Sequence, residues 1–270
     1  MPLSIAEENY LSTSLSQKPP CRPDGRDPHT FRPLDAAAGI LPATNGSARI
    51  RLCDGGECIV GVKAEVEVCG GKPVEVQCDI AGQLNNSPLQ SFLCTTLESA
   101  VRNALPPSHL SISNKYTYKL YIDGIILDHV SHPLTLLSMT IFLALLNTRL
   151  PTLITEDNTD ENDEIGLPQF ESDWQQSRLL CDDWLPPLVQ LAVVAGRNVF
   201  VDPTGEEAAV SDGGILAIWH QSKVVGLRTV NTRDSSRQVF NVKSVATAVD
   251  VLTQTSREVE NALRKVVAST

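Results

Sequence analysis

The sequence predicts an α+β fold in which a layer of helices packs on mainly antiparallel sheet. Three observations predict it. Between Ala48 and Ile80 apolar residues recur at every second position, the period of half-buried strands. Two later stretches, beginning at Pro88 and ending near Val266, carry apolar residues at helical spacing. In each half of the chain the strands come before the helices, the order expected of segregated layers rather than of alternating βαβ units. The 270 residues are 42% hydrophobic, enough for a sizeable core. Length alone allows one large domain or two small ones.

Taken in order, Ser4 followed by Glu7 forms a capping-box pattern, and Ile5, Leu11 and Leu15 continue at roughly helical spacing, predicting a short helix that Pro19 and Pro20 end. Ala48, Ile50 and Leu52 alternate with Arg49 and Arg51. Val60 to Val68 alternates with Gly61, Lys63, Glu65 and Glu67, and Val74, Val76, Cys78 and Ile80 repeat the pattern. Turns at Asp54-Gly55-Gly56 and Gly70-Gly71 predict antiparallel connections between these strands. Ser87 as N-cap, Pro88 at the first helical position and Gln90 open a helix with a stripe of Leu89, Leu93, Leu97, Ala100, Val101 and Ala104, stopped by Pro106 and Pro107. A strand from Tyr116 to Leu127 leads to Pro133 and an apolar helix reaching about Leu146, expected to be buried on most sides. Strands follow near Val189–Val194, Asn198–Val201, Ile215–Trp219 and Val224–Leu227. A last helix carries Val245, Val249, Leu252, Val259, Leu263 and Val266 on one face.

The formal charge of -10 is concentrated. Residues 154–183 hold Glu156, Asp157, Asp160, Glu161, Asp163, Glu164, Glu171, Asp173, Asp182 and Asp183 against Arg178 alone, leaving the remainder close to neutral. Net charge therefore does not argue against a nucleic-acid ligand. The seven cysteines form no Cys-x-x-Cys pair, and several fall in apolar alternating runs, predicting buried thiols in a reducing compartment. The start, MPLSIAEENYL, lacks a basic stretch followed by an apolar one, and the run Leu134 to Leu146 is shorter than the roughly 20 residues a bilayer requires, so neither a secretory signal nor a membrane span is expected.

Several side-chain groups invite a chemical reading. Asp160, Asn162, Glu164 and Glu171 fall in an EF-hand frame, but Ile165 stands where the sharp turn needs Gly, favouring a solvated acidic loop. His129 and His132 with Asp128 lie close in sequence, but without a third His or a Cys nearby they suit helix capping better than metal. Gly70-Gly71-Lys72 lacks the remaining parts of a P-loop. Arg22, Arg26, Arg32, Arg49 and Arg51 cluster within thirty residues, beside Asp24, Asp27 and Asp35. Their planar donor forks suit salt bridges that fix turns, and equally suit phosphate. The stretch VDPTGEEAAVSDGG, Val201 to Gly214, holds Asp202, Glu206, Glu207 and Asp212.

Arg22-Pro-Asp-Gly-Arg26, Phe31-Arg32-Pro33, Asn45-Gly-Ser-Ala-Arg49 and the strand Ile59 to Val68 together resemble the opening of an RNase PH-type domain. More narrowly the chain is similar to the eukaryotic exosome ring subunit of the lineage that descends from the inactive archaeal partner. The resemblance implies one RNase PH-like domain over 1–270, with a helical lead-in (1–21), a first half (22–150), an acidic connector (151–183) and a second half (184–270). The family's chemistry is phosphorolysis of RNA 3′ ends, which needs a phosphate cradle and carboxylates that hold a metal or move a proton.

Against that need the chain departs in three places. Where active members carry an Arg-x-x-Arg pair, Ser99-Ala-Val-Arg102 keeps one arginine. Where they carry an Asp-Gly-Gly turn, Val130, Ser131 and His132 stand, with Asp128 out of register. Where they carry two aspartates six residues apart, this chain has Asp202 and Ala208. Glu207 is adjacent, but in an extended segment a shift of one residue turns its side chain away. The resemblance thus implies a non-catalytic ring subunit, with no metal or other cofactor, supporting 3′-to-5′ RNA processing and decay, including rRNA maturation and mRNA turnover. Its partners would be other RNase PH-like subunits in a six-membered ring around an RNA channel, RNA-binding cap subunits and a processive nuclease. Its place would be the nucleus, including the nucleolus, and the cytoplasm. Arg102, and behind it Arg26, are the expected RNA contacts. The rivals are an active phosphate-dependent exoribonuclease using Glu207 or Asp212, and an acidic protein-binding adaptor acting through 154–183.

Overall fold

The computed structural model describes residues 3–83, 87–113, 115–129, 131–152, 154, 169–171, 176–230 and 241–268. The chain opens with α1 (Ile5–Ser16), whose Ser4 and Glu7 form the expected capping box. Its stripe is narrower than the spacing predicts: Leu11 and Leu15 are buried, but Ile5 is 80% exposed. Strands β1 (Leu34–Ala38), β2 (Gly46–Leu52), β3 (Glu57–Val68) and β4 (Val74–Ile80) follow, then α2 (Pro88–Ala104), the single turn α3 (Pro107–Leu110), β5 (Tyr116–Asp128) and α4 (Leu134–Leu146). Two short strands, β6 (Arg149–Leu150) and β7 (Arg178–Leu179), pair with each other. The second half comprises β8 (Leu188–Ala195), β9 (Asn198–Val201), α5 (Gly205–Val210), β10 (Gly213–His220), β11 (Lys223–Val230) and α6 (Val242–Ala268).

The first sheet has the order β1-β2-β3-β5-β4. Asp54-Gly55-Gly56 makes the antiparallel turn between β2 and β3 that the sequence predicts. Gly70-Gly71 does not make the second: β5 inserts between β3 and β4, antiparallel to β3 and parallel to β4. The β4-α2-β5 segment is therefore a crossover unit. Its physical reason is the α2 stripe of Leu93, Leu97, Ala100 and Val101, which must be covered and packs back on β4. The second sheet, β11-β10-β8-β9, is antiparallel throughout. Ala192, Val194, Val199, Ile215 and Ala217 meet Ala248 and Leu252 of α6. Val193, Ala195 and Phe200 meet Leu11, Leu15 and Val210 instead, so helices cover both faces.

Between the sheets lies α4. Every residue from Leu134 to Leu145 is buried, and the helix packs on β2 and β3 on one side and β8 on the other. Its hydroxyls dock it. Thr135 Oγ1 and Ser138 Oγ accept the backbone N–H groups of Leu191 and Val189 at 3.2 and 2.7 Å, at the end of β8 that β9 leaves unpaired. Buried amides need partners, and these two find them in a helix rather than in a strand. Among the described residues no helix is long and apolar enough to cross a membrane, and all seven cysteines are free thiols.

The contact between β2 and the end of α4 leaves no room for a side chain at Gly46: a Cβ there would meet Ala144 O and Thr148 Cα at 2.7 Å, both backbone atoms. Gly46→Ala is expected to cost about 1–3 kcal/mol by overpacking, read as a lowered denaturation midpoint with an unchanged slope.

Candidate functional site

The stretch Val201 to Gly214 is not extended, as the register argument for Glu207 assumed. β9 stops at Val201 and Asp202 adopts φ 49°, a left-handed conformation that Asp tolerates better than most side chains. Thr204 then caps α5. Thr204 Oγ1 accepts from Glu207 N and Glu207 Oε2 accepts from Thr204 N, a second capping box. The helical turn points Glu207 inward rather than away: its side chain is fully buried and meets Arg22 in a two-pronged pair, Nε to Oε1 and Nη2 to Oε2, both at 2.7 Å. Arg22 is equally buried, lies 5.8 Å from the Phe200 ring centroid, and donates further to Val201 O and Asp202 O. Every buried charge here has a partner, the condition under which such a pair persists.

Asp202 is the hub of the neighbouring network. Arg32 reaches it through its backbone N and Nε to Oδ2 (2.9 and 2.8 Å) and through Nη2 to Oδ1 (2.6 Å), while Arg26 Nη1 reaches Oδ2 at 3.0 Å. A carboxylate offers about four acceptor sites; here three donors crowd Oδ2 and one reaches Oδ1. Burial alone would raise the Asp202 carboxyl, but the Arg32 hydrogen bonds and charge, with Arg26 behind them, outweigh it and hold the group below 3.8. Such a carboxylate is already neutralised by two guanidinium groups and has no tendency to take a proton near neutral pH. Arg32 also pairs with Asp54 and donates to Ser131 Oγ at 2.8 Å. Arg26 is tied to Asp24 at 2.6 Å and to Thr30 O, with Gly25 at φ 72° making the tight turn the sequence predicts. Val201 N donates to Pro28 O, fastening the same segment to β9.

The other expected residues lie elsewhere or are otherwise engaged. Ala208 packs into the apolar cluster of Leu11, Leu15, Phe200 and Val210. Asp212 accepts from Gly196 N at 2.7 Å and fixes a turn. Asp128 accepts from His129 N. His132 stands edge-on to Phe92 and accepts from Leu134 N; burial, then the neighbouring His129, push its imidazole down to about 4, so it is neutral at physiological pH. Among the described residues no group of three His, Cys, Asp or Glu is placed to hold a metal ion. Val130 and most of the EF-hand frame, including Asp160, Asn162 and Glu164, lie outside the described residues. Arg102 sits in the last turn of α2, its side chain 42% exposed and 3.9 Å from Glu98, beside a surface cavity of about 340 Å³ lined in part by Pro73, Leu105 and Leu110. Among the described hydrogen bonds and ion pairs, none joins it to the Arg26–Asp202 network. The residue that sequence reasoning undervalued is Arg32. It stands in the Phe31-Arg32-Pro33 motif, but its partner lies 170 positions away.

Residues 30–151 match the RNase PH family, described as 3′ exoribonuclease family, domain 1. The chain is 36% identical over 245 residues to the exosome complex component RRP42 of Saccharomyces cerevisiae, covering 89% of this chain and 90% of that protein. The chain belongs to the Rrp42 family. A second member, from Schizosaccharomyces pombe, is 32% identical over 230 residues, covering 78% of this chain and 76% of the other. The Rrp42 fold extends to solved archaeal structures. An archaeal exosome core chain matches with a TM-score of 0.73 at 20% identity, covering 96% of both chains. A chain of the Archaeoglobus fulgidus exosome with RNA bound to the active site matches at 0.72 and 20%, covering 95% of this chain and 97% of that one.

Two outcomes follow from the network. Glu207→Gln leaves the Arg22 charge buried and unbalanced, and is expected to lower stability by about 3–5 kcal/mol in urea denaturation, whereas the apolar double replacement Arg22→Met with Glu207→Leu recovers much of that loss. The second concerns acid. The Asp202 carboxyl is depressed in the folded chain, so its stabilisation is fully present above the unfolded value of about 4 and is lost as pH falls through the lower folded value. The stability gap between wild type and Asp202→Asn should therefore be constant near neutrality and shrink below about pH 4, as followed by urea midpoints.

Proposed function

We propose that the chain is a non-catalytic subunit of the RNA exosome ring, in which residues 1–270 act as one RNase PH-like unit that lines part of an RNA channel and supports 3′-to-5′ RNA processing and decay. The observation that carries this reading is the state of Asp202. The aspartate that the resemblance aligns with a catalytic carboxylate is held by four hydrogen bonds from Arg26 and Arg32, and its expected companion is Ala208 in an apolar contact. Of the two replacement acids, Glu207 neutralises Arg22 inside the fold, and Asp212 is an exposed carboxylate that accepts from Gly196 N in a turn. Membership of the Rrp42 family supplies the ring: its partners in this reading are other RNase PH-like subunits, with RNA-binding cap subunits and a processive nuclease. Work in the nucleus, nucleolus and cytoplasm belongs to the same proposal.

The test has two arms. Purified protein incubated with RNA, inorganic phosphate and magnesium is expected to release no nucleoside diphosphate. Release that disappears in Asp202→Ala would overturn the reading. Native mass measurement of the complex isolated from cells is expected to show the chain with five related subunits; recovery of the chain without them would favour the acidic adaptor instead.

Within this reading Arg102 is the RNA contact we favour, because its guanidinium is partly exposed and held loosely by Glu98. Arg26 ranks behind it, since Asp24, Thr30 and Asp202 already use its donors. In the assembled ring, Arg102→Ala should weaken RNA binding across sequences and reduce the salt slope by about 1, with no change in the denaturation midpoint of the subunit.

A further inference from the structure

Two of the seven thiols meet in space. The inward face of β4 runs Val74, Val76, Cys78, Ile80, and Cys78 is 1% exposed. On α2, Cys94 stands one position round the helix from the buried Leu93, at the margin of the stripe, and is half-buried. Because α2 packs directly on β4, the two sulfurs come to 3.4 Å. One turn earlier Gln90 donates from Nε2 to the carbonyl of Cys78 and to Asp79, so the same stretch of helix is tied to the same stretch of strand by a second, independent contact. A disulfide requires about 2.05 Å between sulfurs, so closure needs an approach of about 1.4 Å. The buried Cys58 and the partly buried Cys181 are unlike this pair. Burial pushes Cys58 up to about 12 and Cys181 upward as well, which keeps both protonated and unreactive.

We propose that Cys78 and Cys94 are a reversible dithiol–disulfide pair that responds to peroxide, with Cys94 the attacking thiol and Cys78 the resolving one. The thiolate of Cys94 attacks one oxygen of hydrogen peroxide, the O–O bond breaks, and hydroxide leaves, giving a sulfenic acid on Cys94. Cys78 Sγ then attacks that sulfur. The S–S bond forms, the S–O bond breaks, and the proton of Cys78 departs with the hydroxyl as water. The two thiols together lose two electrons and two protons while peroxide is reduced to two waters; an exogenous dithiol reverses the step by exchange. The assignment of roles follows exposure, since peroxide reaches the half-buried Cys94 and not Cys78. It agrees with the acidity of the pair: the hydrogen bond between the two sulfurs lowers Cys94 and raises Cys78. The bond would clamp α2, the helix whose last turn carries Arg102, to an edge strand that is otherwise paired only with β5 in its sheet. This inference does not depend on the proposed ring function.

The test uses the full chain, reduced, then titrated with hydrogen peroxide, quenched by alkylation, digested and mapped by mass spectrometry. The exposed Cys21, Cys53 and Cys69 serve as internal dose markers. The expected result is a peptide pair joined through Cys78 and Cys94, lighter than the two free thiols by two hydrogens and separated again by dithiothreitol. The cross-linked chain should melt about 5–10 °C higher than the reduced one. In Cys78→Ser the sulfenic acid on Cys94 should accumulate and be trapped by dimedone. Recovery of Cys78 and Cys94 as separate alkylated residues, or of Cys94 overoxidised with Cys78 still free, at doses that modify Cys21, Cys53 and Cys69 would overturn the proposal. So would a Cys94→Ser chain in which Cys78 reacts with peroxide as fast as in wild type, since the attacking role would then not belong to Cys94.

Discussion

A helix with no exposed face sets terms for everything around it. From Leu134 to Leu145 every residue of α4 is buried, so the hydroxyls it carries find their partners inside the protein. Thr140 donates to Leu136 O within the helix, while Thr135 and Ser138 accept the two backbone amides of β8 that lack a strand partner. The residues that interrupt an apolar run are therefore what locks one sheet to the other. That docking places β8, and through it β9, so that the chain leaves β9 at Val201 directly against the 22–32 segment.

What that juxtaposition creates is a compact electrostatic unit. Arg22, Arg26 and Arg32 come from one short irregular segment, and their partners come from three other parts of the chain: Asp54, Ser131, and the stretch that holds Asp202 and Glu207. The irregular segment has few apolar residues with which to hold itself in place, and its arginines supply the attachment instead. In a poorly solvated setting each interaction is stronger than it would be in water, and each unpaired group would cost more. The network is thus a fastening, in which Asp202 already balances the charges of Arg26 and Arg32.

The sequence made much of the fold legible because many elements advertise themselves locally. The period-two runs of β2, β3 and β4, the Ser87-Pro88 start of α2 and the capping box of α1 are all short-range signals, and the structure has each of them. β1 was not legible: Leu34–Ala38 reads LDAAA, with no alternation to mark a strand. The partner of β4 was hidden by Gly70-Gly71, which looks like a hairpin turn, because strand insertion is decided by covering the α2 stripe rather than by the turn. α5 was missed although Thr204 and Glu207 carry the same capping signature as Ser4 and Glu7; the acids drew attention as chemistry and not as caps. At the site, Arg26 and Asp202 were both visible, but the pairing of Arg32 with Asp202 spans 170 positions and has no local trace.

The commitment of Asp202 to Arg26 and Arg32 also has an evolutionary consequence. Once arginines lean on a carboxylate for the stability of the fold, that carboxylate can no longer be spared for chemistry without loosening the segment that presents it. An aspartate restored at position 208 would enter an apolar contact under α1 and find its would-be companion already committed to Arg26 and Arg32. The way back to an active centre is closed by two separate gates, one made of packing and one of charge, and no single substitution opens both.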